Sequence, residues 1–165
     1  MDRAEPQVND TGTAGVIARP PLLFLAALLL GFALDHLLPL PVVVPRGGEL
    51  AHRMIPSALI LIGLALAAAG IRNFSRAATP VPTYKPTRAL VTTGIHGWSR
   101  NPIYTGMLLL YGGIGIAVRS PWILVLALPL AITMRCGVVA REEAYLERRF
   151  GDAYRDYKSR VRRWL

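Results

Sequence analysis

The sequence predicts an all-α polytopic membrane protein with four transmembrane helices and a C-terminal amphipathic helical tail in the cytoplasm. Hydrophobic residues make up 53% of the 165 residues, which is more than one water-soluble core of this size can enclose without large exposed patches. Four apolar stretches, at about 20–40, 54–71, 102–118 and 121–140, approach the roughly 20 residues that a helix needs to cross a bilayer. All the Lys and Arg residues except Arg135 lie outside these stretches.

The first stretch follows a polar start, residues 1–19, that contains Asp2, Glu5 and Asp10. It lacks a convincing cleavage motif, so we interpret it as a retained helix and not as a secretion signal. We therefore divide the chain into this polar segment and one membrane domain, residues 20–165.

The third and fourth stretches are joined only by Arg119 and Ser120. Such a short connection predicts a tight antiparallel hairpin. The start of the third helix and the end of the fourth are then neighbours on the same side of the membrane.

The distribution of cations predicts the orientation, because Lys and Arg stay preferentially on the cytoplasmic side. Sixteen of the 19 cations lie in the N-terminal segment, in the connection 72–101 and from Arg135 onward. The other three are Arg46, Arg53 and Arg119. We expect an integral protein of a bacterial inner membrane with both termini cytoplasmic. The net charge of +9 is then explained by this orientation and by membrane lipid as the partner of the basic side chains. Nucleic-acid binding is not needed to explain it.

The connection 72–101 is long and contains no acidic residue, and long connections often carry function. Pro80, Pro82 and Pro86 keep it extended, and Gly94 interrupts any helix before the third span.

The charged tail has apolar residues at steps of three or four, which predicts one helical face against the membrane or the bundle. Gly151 is expected to end one helix of this tail, with Asp152 capping the next. The residues of this face are Leu146, Phe150, Tyr154, Tyr157, Val161 and Trp164.

Two polar segments meet at the inner ends of the third and fourth spans, namely 99–106 and 141–143. Pro102 suits the first turn of a helix and Asn101 its cap, while acidic residues at a helix start also fit the helix dipole alone. Arg100 and Tyr104 together with the acidic pair offer donors, an aromatic face and anions to a polar, zwitterionic or cationic ligand. We predict that both segments line one enclosed pocket.

The single cysteine, Cys136, is expected to be buried and inert, and no metal site is indicated.

These motifs resemble the isoprenylcysteine carboxyl methyltransferase family, whose relatives include the phospholipid N-methyltransferases. The likeness covers residues 72–165. It consists of Leu90 to Gly94, Ser99 to Gly106, Glu142 to Leu146 and Phe150 to Tyr157. The resemblance implies that the C-terminal half encloses S-adenosylmethionine and that the methyl acceptor enters from lipid.

The resemblance also implies a set of cofactor-binding residues. Many members have histidine in place of Asn101, and an aromatic residue followed by arginine in place of His96 and Gly97. Gly106, close to Tyr104, either packs against a helix or leaves room for the cofactor. The predicted cofactor-binding residues are Arg100, Asn101, Pro102, Tyr104, Gly106, Glu142 and Glu143.

The predicted catalytic residues depend on the methyl acceptor, which is expected to be a lipid-embedded or small molecule. A carboxylate acceptor, as in an isoprenylcysteine-like compound, is ionised and needs only a cation, for which Arg135 is the candidate. A phospholipid amine or a thiol must lose a proton, and His96 is the nearby side chain that titrates near neutrality. The alternative function is a non-catalytic membrane assembly or transport accessory protein of the same shape.

Overall fold

The computed structural model describes residues 12–41, 49–81 and 85–164, and within these ranges every regular element is a helix. The predicted all-α class is confirmed for this part of the chain. Residues 1–11, Arg46 and Pro82 lie outside it. The elements are α1 (Pro20–Leu37), α2 (Glu49–Arg76), a 3₁₀ helix (Gly94–Gly97), α3 (Pro102–Ala117), α4 (Pro121–Thr133), a π-helical segment (Met134–Val139), α5 (Ala140–Phe150) and α6 (Asp152–Arg160).

Three helical stretches of the described chain are long and apolar enough to cross a bilayer: Pro20–Leu37, His52–Arg76 and Pro121–Phe150. Apolar side chains cover their outer surfaces, and Leu61 and Leu128 are 66% and 68% exposed. In water this surface would be costly, whereas lipid is a solvent that suits it. Helix α3 has 16 residues, fewer than the other three stretches.

The second and fourth helices are longer than the sequence analysis predicts. Helix α2 extends to Arg76 instead of Ile71. The fourth helix continues beyond Ala140 through the π-helical segment to Phe150. Glu142 and Glu143 therefore lie inside a continuous helix, so a free helix N-terminus does not explain them. Gly151, with φ of 53°, ends this helix as predicted. The predicted cap at Asp152 is wrong, because Gly151 itself occupies the N-cap position of α6 and Asp152 is the first residue of that helix.

Helices α2 and α3 are in backbone contact at two glycines. A Cβ atom on Gly63 would lie 2.6 Å from the carbonyl oxygen of Gly106, and one on Gly106 would lie 2.9 Å from the backbone nitrogen of Ala67. Small residues let helices approach this closely in lipid, where packing replaces the hydrophobic effect as the source of helix association.

The α3–α4 hairpin has the tight turn that the sequence predicts. The Ser120 hydroxyl accepts a hydrogen bond of 2.9 Å from the Ile123 N–H at the start of α4. Helix α4 also packs against α1, and the buried core between the helices consists of Phe24, Tyr111, Ile123, Leu130, Met134 and Val138.

We expect Gly106→Val to destabilise the protein by about 1–3 kcal/mol, because the added atoms meet backbone that no rotamer change can move aside. The measurement is thermal unfolding of the purified protein in detergent. Gly112→Val is the matched control, since a Cβ atom at Gly112 meets nothing within 4 Å. Equal losses in the two variants would contradict the proposed contact.

Candidate active site

A cavity of about 450 Å³ lies where α3, α5, α6 and the connection before the 3₁₀ helix meet. The start of α1 closes another side through Pro20, Pro21 and Leu22. Its volume falls within the range of about 300–1,000 Å³ typical of small-molecule sites. Most of its wall is apolar, with charged groups at a few positions.

The structure brings most of the predicted site residues to this cavity. Its lining includes Arg100, Asn101, Pro102, Tyr104, Glu142, Glu143 and His96. The two segments that were expected to converge therefore share one pocket.

Two predicted site residues lie elsewhere. Gly106 faces α2, where it provides the backbone contact described above. Arg135 lies on the π-helical segment, is exposed and does not line the cavity. The prediction that Cys136 is buried is wrong, because this neighbouring side chain is exposed as well. Both side chains point away from the interior because the helix turns its other face, including Met134 and Val138, into the core.

The strongest polar interaction of the site centres on the buried carboxylate of Glu143. Arg163 donates two hydrogen bonds to it, Nε to Oε1 at 3.0 Å and Nη2 to Oε2 at 2.7 Å. Arg100 Nη2 lies 3.1 Å from Oε1, and the Arg100 and Glu143 side chains are only 9% and 8% exposed. Bonding to Glu143 raises the pKa of Arg163. We call Arg100, Glu143 and Arg163 the Glu143 cluster; two guanidinium groups and one carboxylate give it a formal charge of +1.

Arg100 retains an unused donor within this cluster. Its Nε atom is buried and has no hydrogen-bond partner among the described residues. A buried donor without a partner is costly. Since Arg100 lines the cavity, a ligand with an anionic oxygen is a partner that suits this donor.

Arg163 reaches the site because the chain after α6 runs beside residues 99–101. The Arg100 N–H donates to the Arg162 carbonyl at 2.9 Å, and Asn101 Nδ2 donates to the Arg163 carbonyl at 3.0 Å. Asn101 occupies the cap position of α3 as predicted, but its side chain makes no capping bond. Arg163 was not predicted as a site residue, because nothing in its local sequence pattern distinguishes it from the neighbouring surface arginines.

The second acidic residue, Glu142, has a different partner. Tyr104 OH donates a hydrogen bond of 2.7 Å to Glu142 Oε1, which joins the first turn of α3 to α5. No arginine or lysine of the described chain forms an ion pair with this carboxylate. The cavity therefore has a carboxylate in its wall in addition to the positive Glu143 cluster.

His96 is buried and its tautomer can be assigned from its neighbour. Asn73 Nδ2 donates to the Thr93 carbonyl at 2.7 Å, and the same nitrogen lies 3.4 Å from His96 Nδ1. An amide nitrogen only donates, so Nδ1 must accept and the proton of the neutral ring is on Nε2. Burial lowers the pKa of His96 to about 4. The predicted role as proton acceptor conflicts with this tautomer, whose Nε2–H is a donor.

Three tyrosines that the sequence analysis did not assign to the site also line the cavity. Tyr157 OH donates to the His96 carbonyl at 2.7 Å, and burial raises the pKa of Tyr157 to about 12. The Tyr154 and Tyr157 rings form an edge-to-face pair 6.1 Å apart. Tyr145 OH accepts a bond of 3.2 Å from the Thr87 N–H and so ties the preceding connection to α5. The apolar stripe of the tail thus forms part of the cavity wall.

The segment before α1 packs on the helix that carries the acidic pair. The Ile17 N–H donates to the Gly137 carbonyl at 3.2 Å, and Arg141 Nη1 donates to the Gly15 carbonyl at 2.9 Å. Ala14 and Arg19 then contribute to the cavity lining. Residues 12–19, predicted as a separate polar segment, help to enclose the site.

Comparison with known proteins identifies the family. The model of the phospholipid methyltransferase family matches residues 52–153. The chain belongs to this family, which confirms the resemblance inferred from the motifs. The match begins in α2, earlier than the predicted start at residue 72. The chain is therefore a methyltransferase-family protein with the helices of an integral membrane protein.

A second comparison concerns a short segment only. An uncharacterized protein of Haemophilus influenzae is 70% identical over 27 residues, which are 16% of this chain and 43% of that protein. The chain thus covers less than half the length of this relative. No solved structure matches the chain.

We expect Glu143→Gln to lower stability by about 3 kcal/mol, because it leaves two arginines beside a neutral amide, and the Arg100 side chain is only 9% exposed. Thermal unfolding in detergent measures this loss. Glu147→Gln removes a partly exposed pair with Lys158 and is expected to cost at most about 1 kcal/mol. A Glu143 variant as stable as the Glu147 variant would refute the role given to the cluster.

We expect acidification from pH 7 to pH 5 to destabilise the protein through His96. The unfolded chain takes up a proton at an ordinary pKa of about 6.5, whereas the folded protein does so only near pH 4. Between these values the unfolded state binds more protons, so stability falls as the pH falls. On acidification the unfolding midpoint should fall further, or rise less, in the unaltered protein than in His96→Gln. The matched control is His36→Gln, which removes an exposed histidine outside the cavity.

Proposed function

We propose that this protein transfers a methyl group from S-adenosylmethionine to a lipid-embedded or small acceptor. The observation that carries the proposal is the cavity itself. It combines the positive Glu143 cluster, a separate carboxylate at Glu142 and aromatic walls, in a chain of the phospholipid methyltransferase family.

The residues present suit the charges of this cofactor. The unpartnered Nε of Arg100 is a donor for the carboxylate of the amino-acid moiety. Glu142, which has no cationic partner among the described side chains, suits the ammonium group or the ribose hydroxyls. The faces of Tyr104 and Tyr154 suit the sulfonium cation or the adenine ring. The Glu143 carboxylate already forms ion pairs with Arg100 and Arg163, so its role in this proposal is to position Arg100.

When bound, S-adenosylmethionine supplies an electrophilic methyl group, and the protein contributes mainly alignment and exclusion of water. The Tyr104–Glu142 bond holds α3 against α5, and the Tyr145–Thr87 bond holds the connection over the cavity. Both contacts keep the walls in place around the reacting groups.

A carboxylate, an amine and a thiol remain the candidate classes of acceptor. Arg135, the cation predicted for a carboxylate, does not line the cavity. His96 has Nε2–H available, and this atom has no hydrogen-bond partner within the described chain. We assign His96 to hold an oxygen atom of the acceptor, rather than to remove a proton from it.

We also propose that α3 crosses the membrane, which makes four spans. The segment before α3 and the first turn of α5 meet at the Glu143 cluster, so they lie on the same side. Only three residues separate the end of α3 from the start of α4. If the long helix from α4 to α5 spans the bilayer, then α3 must span it in the opposite direction. The clustered cations support a cytoplasmic location for this end, with the helices in a bacterial inner membrane.

We expect the full chain in detergent to bind S-adenosylhomocysteine, measured by isothermal titration calorimetry. Arg100→Lys should weaken binding by about 10- to 100-fold, since it removes a charge-assisted bond of a buried guanidinium. Glu147→Gln, on the surface of α5, is the matched control and should bind normally. Absence of binding by the unaltered protein would favour the accessory role, and equal affinities of all three would refute the assigned site.

The acceptor is identified by incubating membranes that contain the protein with a labelled methyl donor. We expect label in a lipid or small-molecule fraction with the unaltered protein and a strong reduction with Arg100→Lys. Equal amounts of labelled product with Arg100→Lys and with the unaltered protein would contradict the proposed function.

A further inference from the structure

A surface outside the cavity combines a protruding aromatic ring with basic side chains. Trp98 is 79% exposed, the largest exposed fraction among the large hydrophobic side chains described. It shares a groove with Gly97, Arg160 and Arg162. We call this surface the Trp98 groove.

Backbone contacts hold the two sides of the groove together. The Trp98 N–H donates to the Ile95 carbonyl at 3.2 Å, and the adjacent Ser99 is fully buried. Ser99 and Arg162 form a parallel β-bridge. Trp98 and Arg162 are therefore presented side by side from two paired backbones.

The charge of the groove is only partly neutralised within the protein. Arg160 forms an ion pair with Asp156. The Arg162 side chain is exposed, and no ion pair involves it within the described residues. From residue 152 to 164 the chain has five cations and two acids, a formal charge of +3.

The position of the groove points to lipid as its occupant. Trp98 lies four residues before Pro102, where the apolar helix α3 begins. Tryptophan prefers the headgroup level of a bilayer, and arginine beside it is attracted to anionic headgroups. A lipid headgroup accounts for both the exposed indole ring and its position at the end of a membrane helix.

We propose that the Trp98 groove binds the anionic headgroup of a lipid in the same bilayer. The indole ring lies at the level of the headgroups, and Arg162 pairs with the lipid phosphate. Ser99 pairs with Arg162 and is followed directly by Arg100. A lipid bound in the groove therefore holds the segment before α3 and the end of the tail together. The Trp98 groove and the cavity assigned to methyl transfer share no lining residue.

The test uses the full chain reconstituted in nanodiscs of phosphatidylcholine with increasing fractions of phosphatidylglycerol. A headgroup-attached spin label quenches tryptophan fluorescence, and subtraction of the Trp98→Phe protein isolates the contribution of Trp98. We expect this quenching to increase with phosphatidylglycerol and to saturate. Arg162→Gln should raise the half-saturating fraction about fivefold, as expected for one basic residue near an anionic surface, whereas Arg162→Lys should retain most of the effect.

Arg155→Gln is the matched control, because Arg155 is a neighbouring exposed arginine outside the groove that pairs with Asp152. It should leave the half-saturating fraction unchanged, and circular dichroism should show that all variants keep their helices. Quenching that is independent of phosphatidylglycerol, or an equal shift in Arg155→Gln, would overturn the proposal. Reversal of the quenching by inorganic phosphate at constant ionic strength would also overturn it, because it would indicate a soluble anion as the occupant. Quenching that depends on the number of protein copies per disc would do the same, because it would indicate a second copy of the protein.

Discussion

A buried carboxylate is stable only when its charge is balanced, and Glu143 is balanced by arginines from two distant parts of the chain. Arg100 precedes α3, Glu143 lies on α5, and Arg163 follows α6. This one interaction joins the lead-in to α3, the acidic helix and the tail. The arrangement of the cavity wall depends on it, because these three segments supply most of the polar groups that face the cavity.

Close packing and polar bonds both hold the helices together. Among lipid tails, apolar surfaces gain little by associating, so helices are held by close packing and by polar bonds. Gly63 and Gly106 provide the close packing between α2 and α3. The Tyr104–Glu142 bond and the Glu143 cluster provide the polar bonds between α3 and α5. Together they give a largely apolar cavity a defined set of charges.

Much of the site was predictable because its residues occur in two compact motifs. The segment around Arg100 to Tyr104 and the pair Glu142–Glu143 were expected to meet, since a two-residue turn forces the α3–α4 hairpin to close. Arg163 and Asn73 were not predictable, because their partners lie 20 or more residues away and no local pattern marks them. Gly106 was ambiguous, since a small residue suits both a ligand and a helix contact.

The sequence by itself determined the helical class, the apolar stretches, the hairpin and the family, because these follow from runs of residue types and from motifs at fixed spacing. Only the tertiary structure decided which carboxylate remains available. Glu142 and Glu143 are adjacent in sequence, yet one bonds a tyrosine and the other two arginines. Adjacent residues on a helix point in different directions, so their partners depend on what packs against each side. The same reason separates Arg135 from the cavity that the sequence assigned to it.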